Sequence, residues 1–460
     1  MSWVAGFAGM EPGVVAVTAP LAMAATRRVG AASKRDLRHA CKPRQLRSAG
    51  QRAARYKVWM ELNIEQSLFA GMRAELEREA PPADFPVLPV IPGGRYTDPD
   101  FLALEQEYLW RRSWLYALHA DELPTPGSYR VWRKTGAPIV IVRGKDDVIR
   151  AFYNTCRHRG APLIEREAGE TKGFFCRYHG WTYDLTGRLT MVREKRDFPG
   201  LDMSCMGLVT VRCEQFGNWV FINEDPDAEP LLQALAPAPA HWASLGLAQQ
   251  RHIHSASYDI ECNVKILLDA FLETYHLKSI HPNTVDRFLD SHGTFVQLWQ
   301  RGHSMMCTPH RKAEWRDPGA KGMPEIAGAA RIFAEQNPSY HLYPNLVTPP
   351  APTGIPFITF WPRGPRAMTV DVHWFAPEGA QGHELWPTRI SNFERILEED
   401  TQFAPRIQQS VETKGFRGMY LSYQERRIYQ WHEELDRRIG VERVPEALRV
   451  PRLLDRWLDT

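Results

Sequence analysis

The feature that most constrains this chain is a pair of short segments, Cys156-Arg157-His158-Arg159-Gly160 and Cys176-Arg177-Tyr178-His179-Gly180-Trp181. Each offers one thiolate and one imidazole. A [2Fe-2S] centre with two Cys on one iron and two His on the other needs that allocation. Neutral imidazoles in place of thiolates leave less negative charge to oppose an arriving electron, so the potential rises. Gly160 and Gly180 suit loop tips where the backbone must curve round a cluster. Zinc also takes two Cys and two His. Finger-type spacing, however, groups the cysteines in one half and the histidines in the other, whereas here they alternate.

A chain of 460 residues is long enough for two domains and a large core, which excludes a peptide hormone or a single small binding module. Apolar residues at 43% and charged residues at 24% exclude disorder and a fibre. The net charge of +3 hides an asymmetry: residues 1–60 hold 11 Lys and Arg against 2 acids, the remainder 46 against 52. The basic excess therefore sits in an Ala- and Arg-rich leader, and nucleic acid is not an expected partner. Val14 to Thr26 is too short to span a bilayer and lacks a basic run before it, so neither a membrane segment nor a secretory signal is expected. Residues 1–60 are read as a disordered or mis-assigned extension, with Met60 an alternative start. Seven thinly spread cysteines do not form a disulfide framework; Cys41, Cys205, Cys213, Cys262 and Cys307 are expected as free thiols in a reducing cytoplasm.

Helices are expected over 61–79 and from Asp98 onward, the second with an N-cap Asp and early acids that suit the helix dipole. From about Trp114 short β-like runs alternate with Gly and Asp turns, the pattern of a small antiparallel β-domain. The Pro- and Ala-rich stretch 225–239 is the clearest boundary. The organisation is thus N-terminal helices over 61–113, a β-domain over 114–225 and a mixed α+β domain over 226–460.

The second constellation lies past that boundary. A helix-like segment from Asn263 to Leu277 carries Glu273 and His276, and His281-Pro282 follows. Two histidines five apart point about 140° apart on an ideal helix, so a shared metal requires the helix to bend or end between them. Pro282 favours that. A third ligand should be a distant carboxylate, and Glu398, Glu399 and Asp400 stand on an expected helix that Pro405 should kink. Two His and one carboxylate on one face of Fe(II) leave positions open for dioxygen.

Taken together, the two constellations resemble the catalytic α subunits of Rieske non-haem iron oxygenases, the aromatic ring-hydroxylating family, from about Tyr96 onward. The chain keeps Asn263, Lys265, Glu273, Tyr275, His276, His281 and Pro282 of that family's stretch and departs at Val264 and at Asp269-Ala270. The extra cysteines that clamp respiratory Rieske proteins are replaced here by Ala161 and Tyr178. The resemblance implies a Rieske cluster on Cys156, His158, Cys176 and His179, and a mononuclear Fe(II) on His276, His281 and Asp400. It implies a catalytic domain of helix-grip type, a curved antiparallel sheet around a long helix. It also implies a homotrimer, in which Glu273 bridges to His179 of a neighbouring chain, and a β subunit in some members.

Neither a dinucleotide fingerprint nor a plant-type ferredoxin cysteine run is present, so electrons from NAD(P)H must come through a separate reductase, with or without a ferredoxin. The expected activity is hydroxylation of an aromatic or other hydrophobic small molecule by a mono- or dioxygenase. The alternatives are N- or O-demethylation, including attack on a quaternary amine, and, from another class, a Rieske electron carrier without oxygenase chemistry. Leu267, Leu268, Phe271, Phe288, Phe295, Met305, Met306, Phe357 and Phe360 are candidates for an apolar pocket wall or for ordinary core.

Overall fold

The computed structural model describes residues 62–459. The expected leader, Met60 and Cys41 lie outside the described residues. Helix α1 (Leu62–Glu77) is followed by α2 (Pro99–Tyr108), where Asp98 accepts from the backbone N–H of Asp100 and Phe101 and Pro99 opens the first turn.

The β-domain is built on β1 (Leu115–His119), β2 (Ser128–Trp132), β3 (Ile139–Arg143), β4 (Ile149–Tyr153) and β5 (Ala168–Glu170). A small three-stranded sheet follows, with β6 (Phe174–Phe175), β7 (Thr182–Tyr183) and β8 (Leu189–Met191). Then β9 (Thr210–Phe216) and β10 (Trp219–Asn223) complete the larger sheet, in the order β1-β10-β9-β4-β3-β2-β5. Every neighbouring pair is antiparallel. The first ligand-bearing loop follows β4 of the larger sheet, and the second connects β6 and β7 of the smaller one.

The proline-rich stretch is not wholly a linker: α3 (Leu231–Ala234) and α4 (Ala238–His241) form within it, burying Leu231 and Ala238. Next comes β11 (Gln250–Ile260), a strand whose His- and Ser-rich sequence hides its alternation because it pairs on one side only. A seven-stranded antiparallel sheet runs β11-β17-β16-β15-β14-β13-β12, with β12 (Phe295–Leu298), β13 (Ser304–Pro309), β14 (Gln336–Leu342), β15 (Leu346–Thr348), β16 (Ile355–Gly364) and β17 (Ala367–Pro377). Eight successive residues of β16, Ile355 to Pro362, are buried, which requires cover on both faces.

The two faces are distinct. Met305, Cys307, Phe357 and Phe375 pack with Trp219, Trp242 and Leu68. Met306, Ile358, Phe360 and Val372 pack instead with Leu267, Leu268 and Leu272 and with Ile428, Trp431, Leu435 and Ile439 of the long helix α10 (Arg426–Ile439). The helix-grip arrangement of sheet around helix is therefore present. Phe295, Met305 and Phe357 lie on the first face and cannot wall a site on the second; Phe288 stacks on Trp315 at 4.1 Å.

The segment expected as one helix over 263–277 is broken. It comprises α5 (Val264–Ala270) and α6 (Leu277–Ile280), with non-helical backbone between. Cys213, Cys262 and Cys307 are free thiols, as expected. No helix among the described residues is long and apolar enough to cross a membrane.

Candidate functional site

The two loops of the β-domain are built alike. Cys156 donates its N–H to Ala161 O and accepts from Gly160 N; Cys176 donates to Trp181 O and accepts from Gly180 N. Gly160 and Gly180 adopt φ of 73° and 75°, and a Cβ at Gly180 would strike the Arg193 side chain. Both cysteines are buried, and the His158 and His179 rings approach to 4.5 Å between centroids. Trp181 stacks on His158 at 5.0 Å and fixes that ring. His158 Nδ1 is buried with no hydrogen-bond partner, which is the open valence that an iron would take. The donor set and its closeness fit a [2Fe-2S] cluster on Cys156, His158, Cys176 and His179.

Sequence reasoning missed Tyr183. Its hydroxyl accepts from Arg157 N at 3.0 Å and lies 3.4 Å from Cys156 Sγ, to which it donates. Burial and the neighbouring thiol hold its pKa above the ordinary phenol value, so it remains a donor. Donation to a cluster sulfur favours the reduced, more negative state. Around the loops Tyr178 is 60% and Phe175 52% exposed.

The second site rests on the break in the α5–α6 segment. His276 is the residue before α6 and His281 the residue after it, with φ −114° and ψ 37°. One helical turn separates them, and the backbone leaves helical geometry at His281, so that both rings reach Asp400. Opposite them α8 (Trp386–Thr401) ends beside Asp400, and α9 (Ala404–Val411) restarts with Pro405 in its first turn. Pro405 thus separates two helices in place of the expected kink.

The side chains converge. Asp400 Oδ1 is 3.0 Å from His281 Nε2 and 3.5 Å from His276 Nε2, and one ligand atom from each residue lies within 4.8 Å of the others. On the far side of each ring a carboxylate takes Nδ1: Glu273 Oε1 at 2.5 Å from His276, and Glu399 Oε2 at 2.6 Å from His281. Thr284 Oγ1 holds Glu399 Oε2 at 2.6 Å. With Nδ1 engaged outward, both Nε2 atoms point at Asp400, which is the tautomer arrangement a metal-binding imidazole needs. Burial pulls the pKa of each histidine down, but the hydrogen bonds and charges of Glu273, Glu399 and Asp400 outweigh it and leave both raised. Such an anionic pocket attracts a divalent cation, and two imidazoles with one carboxylate fit Fe(II). Glu398 is exposed and takes no part.

Behind this site lies a buried polar network that spacing alone did not reveal. Tyr96 OH donates to Asp269 Oδ2 at 2.8 Å, and Lys265 Nζ pairs with Glu105 Oε1 at 2.6 Å with both side chains fully buried. Burial pushes the Asp269 carboxyl up to about 7.

Comparison with known proteins agrees with this layout. Residues 113–203 match the model of the Rieske [2Fe-2S] domain, and residues 247–441 match that of the ring hydroxylating alpha subunit (catalytic domain). The carnitine monooxygenase oxygenase subunit of Escherichia coli (strain K12) is 34% identical over 221 residues, 47% of this chain and 56% of that protein. The large oxygenase component of the naphthalene 1,2-dioxygenase system of Pseudomonas putida is 41% identical over 145 residues, 31% of this chain and 32% of that one. The chain thus spans about half the length, or less, of the curated relatives it matches. Among solved structures, a quaternary ammonium Rieske monooxygenase aligns with TM-score 0.65 and 22% identity over 78% of this chain and 99% of that one. Naphthalene 1,2-dioxygenase from Rhodococcus sp. bound to indole aligns with TM-score 0.67 and 20% identity, over 84% and 100%. With a Rieske module preceding a ring-hydroxylating catalytic domain, the chain belongs to the Rieske non-haem iron oxygenase family as an alpha subunit.

Proposed function

We propose that this chain is the terminal oxygenase component of a multicomponent system, using dioxygen and externally supplied electrons to oxidise a small organic molecule. The observation that carries the reading is the convergence of His276, His281 and Asp400, each imidazole turned inward by a carboxylate behind it. A pure electron carrier has no use for such a triad. His276, His281 and Asp400 would hold Fe(II), and Cys156, His158, Cys176 and His179 the cluster. Bound there, these groups would supply one-electron transfer and dioxygen activation.

The chain's own residues do the rest. Glu273 and Glu399 fix the two rings, and Thr284 fixes Glu399. Tyr183 tunes the cluster end by donating to Cys156. Glu273 is also placed opposite His179 of a neighbouring copy in a homotrimer, and electrons come from NAD(P)H through a separate reductase in the cytoplasm.

Among substrates, monooxygenation of a quaternary ammonium compound is favoured, because relatives named for carnitine and glycine betaine match at 34% and 30% identity. The match to the naphthalene system supports a second reading, dihydroxylation of an aromatic ring. Labelled dioxygen separates the two. One labelled atom together with an aldehyde fragment is expected for the first, and two atoms in a ring diol for the second. Purified protein with two irons per chain and no substrate-dependent oxygen uptake would leave only the electron carrier.

A further inference from the structure

Five cationic side chains are buried among the described residues: Arg95, Lys265, Arg389, Arg426 and Arg427. Four of them are compensated. Arg95 pairs with Asp436 at 2.7 Å, Lys265 with Glu105 at 2.6 Å and Arg426 with Glu75 at 3.7 Å. Arg389 lies over the faces of Trp374 and Trp386, 5.4 and 5.5 Å from their centroids. Arg427 is different. It is 1% exposed, and among the described residues it makes no ion pair and covers no aromatic face.

Its guanidinium is nevertheless held in place. Nε donates to Ser304 Oγ at 2.9 Å and Nη1 to Leu272 O at 3.4 Å, while Nη2 has no partner. Three of the five N–H donors of the fork are left over. Burial and the adjacent Arg426 pull its pKa down to about 9, so it stays charged at neutral pH. His341, beside it, is held neutral by its own burial and by the Arg427 charge, and offers no compensation. A buried cation without an anion is costly, and its natural complement is a carboxylate that accepts from the fork.

The location says where that carboxylate would come from. Ser304 lies two residues before Met306 in β13 and so shares its face of the sheet, the face that packs on Leu267, Leu268 and Leu272. Leu272 directly precedes Glu273, the acid that holds the metal-site His276. Arg427 thus stands on the same side of the sheet as the triad and is tied to the same stretch of backbone.

We infer that Arg427 is a specificity-determining residue that anchors the carboxylate of a zwitterionic substrate whose ammonium end is presented to the His276, His281 and Asp400 site. The inference rests on the oxygenase reading above and narrows it to substrates with an anionic end.

The test is calorimetric binding to the iron-loaded full chain, under anaerobic conditions, of glycine betaine, L-carnitine, their methyl esters, and 3,3-dimethylbutanoate, which puts carbon in place of the betaine nitrogen. Wild type binds an acid at least about 10-fold more tightly than its ester. R427M weakens the acid about 10- to 100-fold and the ester less than about 3-fold, with R427K between. Unchanged cluster absorbance and three irons per chain certify that each variant is folded; if R427M is not, R427K and R427Q give the same comparison. Binding of 3,3-dimethylbutanoate, lost in R427M, without binding of either betaine would keep Arg427 as the carboxylate anchor and remove the quaternary-ammonium reading. Equal affinity of acids and esters, no carboxylate binding at all, or acid affinity untouched in R427M would overturn the inference.

Discussion

Glu399 Oε2 lies 2.6 Å from His281 Nδ1, on the ring edge opposite Nε2, which faces Asp400 at 3.0 Å. Two adjacent acids of one helix turn thus serve one imidazole from its two sides. The arrangement predicts unequal variants. D400A removes a metal-directed oxygen, so iron content falls from three to two per chain and oxygenase turnover is lost. E399A leaves the triad complete but frees the His281 ring, and Fe(II) affinity of stripped protein falls about 10- to 100-fold. Both keep the cluster spectrum. An E399A protein binding iron as wild type does would assign Glu399 no orienting role.

Glu273 holds His276 from within its own chain, while the proposed electron route runs to it from His179 of another copy. Transfer between copies has a sharp consequence in mixed assemblies. An H179A chain and a D400A chain are each inactive alone. Co-expressed with separate tags and purified through both, they recover substrate-dependent oxygen uptake, because an intact cluster then sits beside an intact iron site. Transfer confined to one chain would leave the mixed assemblies dead.

Lys265 and Glu105 form a fully buried pair 2.6 Å apart, and burial pulls the lysine pKa down. Such a pair is worth little against an apolar replacement, but breaking it strands a charge. K265M is expected to lower unfolding stability by about 3–5 kcal/mol, and K265M/E105L to recover most of that loss. Urea denaturation of the cluster-loaded chain measures both. A double variant no better than K265M would mean that packing, not the stranded carboxylate, carries the loss.

The two ligand loops were legible in the sequence because each is a local turn with its Cys, His and Gly a few residues apart. His276 and His281 were legible too, with the condition that the helix bend or end between them; the structure instead breaks the segment earlier, at Phe271–Tyr275, keeps 277–280 as one helical turn and ends it at His281. Choosing Asp400 among Glu398, Glu399 and Asp400 rested on the family resemblance, and helix phase, about 100° per residue, gave no sign that the neighbouring Glu399 grips the back of the same ring. Tyr183 and Arg427 carried no signal. Their partners are set by how strands and α10 pack, across separations that no local pattern encodes. Strand β11 was missed because a polar, half-exposed strand lacks apolar alternation.

Asp269 closes a directional chain of hydrogen bonds. Arg95 Nε, which can only donate, gives to His432 Nδ1 at 3.0 Å, so the ring proton sits on Nε2 and points to Tyr96 OH at 2.9 Å. Burial and the Arg95 charge keep His432 neutral, and Tyr96 passes its own proton toward Asp269 Oδ2. Burial raises the Asp269 pKa from the ordinary 3.8 to about 7. Between those two values the native carboxyl keeps a proton that the unfolded one has lost, so stability must fall as pH rises through the window and level off above it. D269N, which still accepts from Tyr96, removes this dependence. Its stability, measured by urea denaturation of iron-stripped chain from pH 4.5 to 7.5, should decline less steeply than wild type, by up to about 1.4 kcal/mol per pH unit. The decline does not vanish, because burial also raises Glu433 to about 7 and that group remains. Parallel profiles for the two proteins would mean that Asp269 ionises freely in the folded chain, and that the Tyr96 chain ends on a carboxylate at every pH tested.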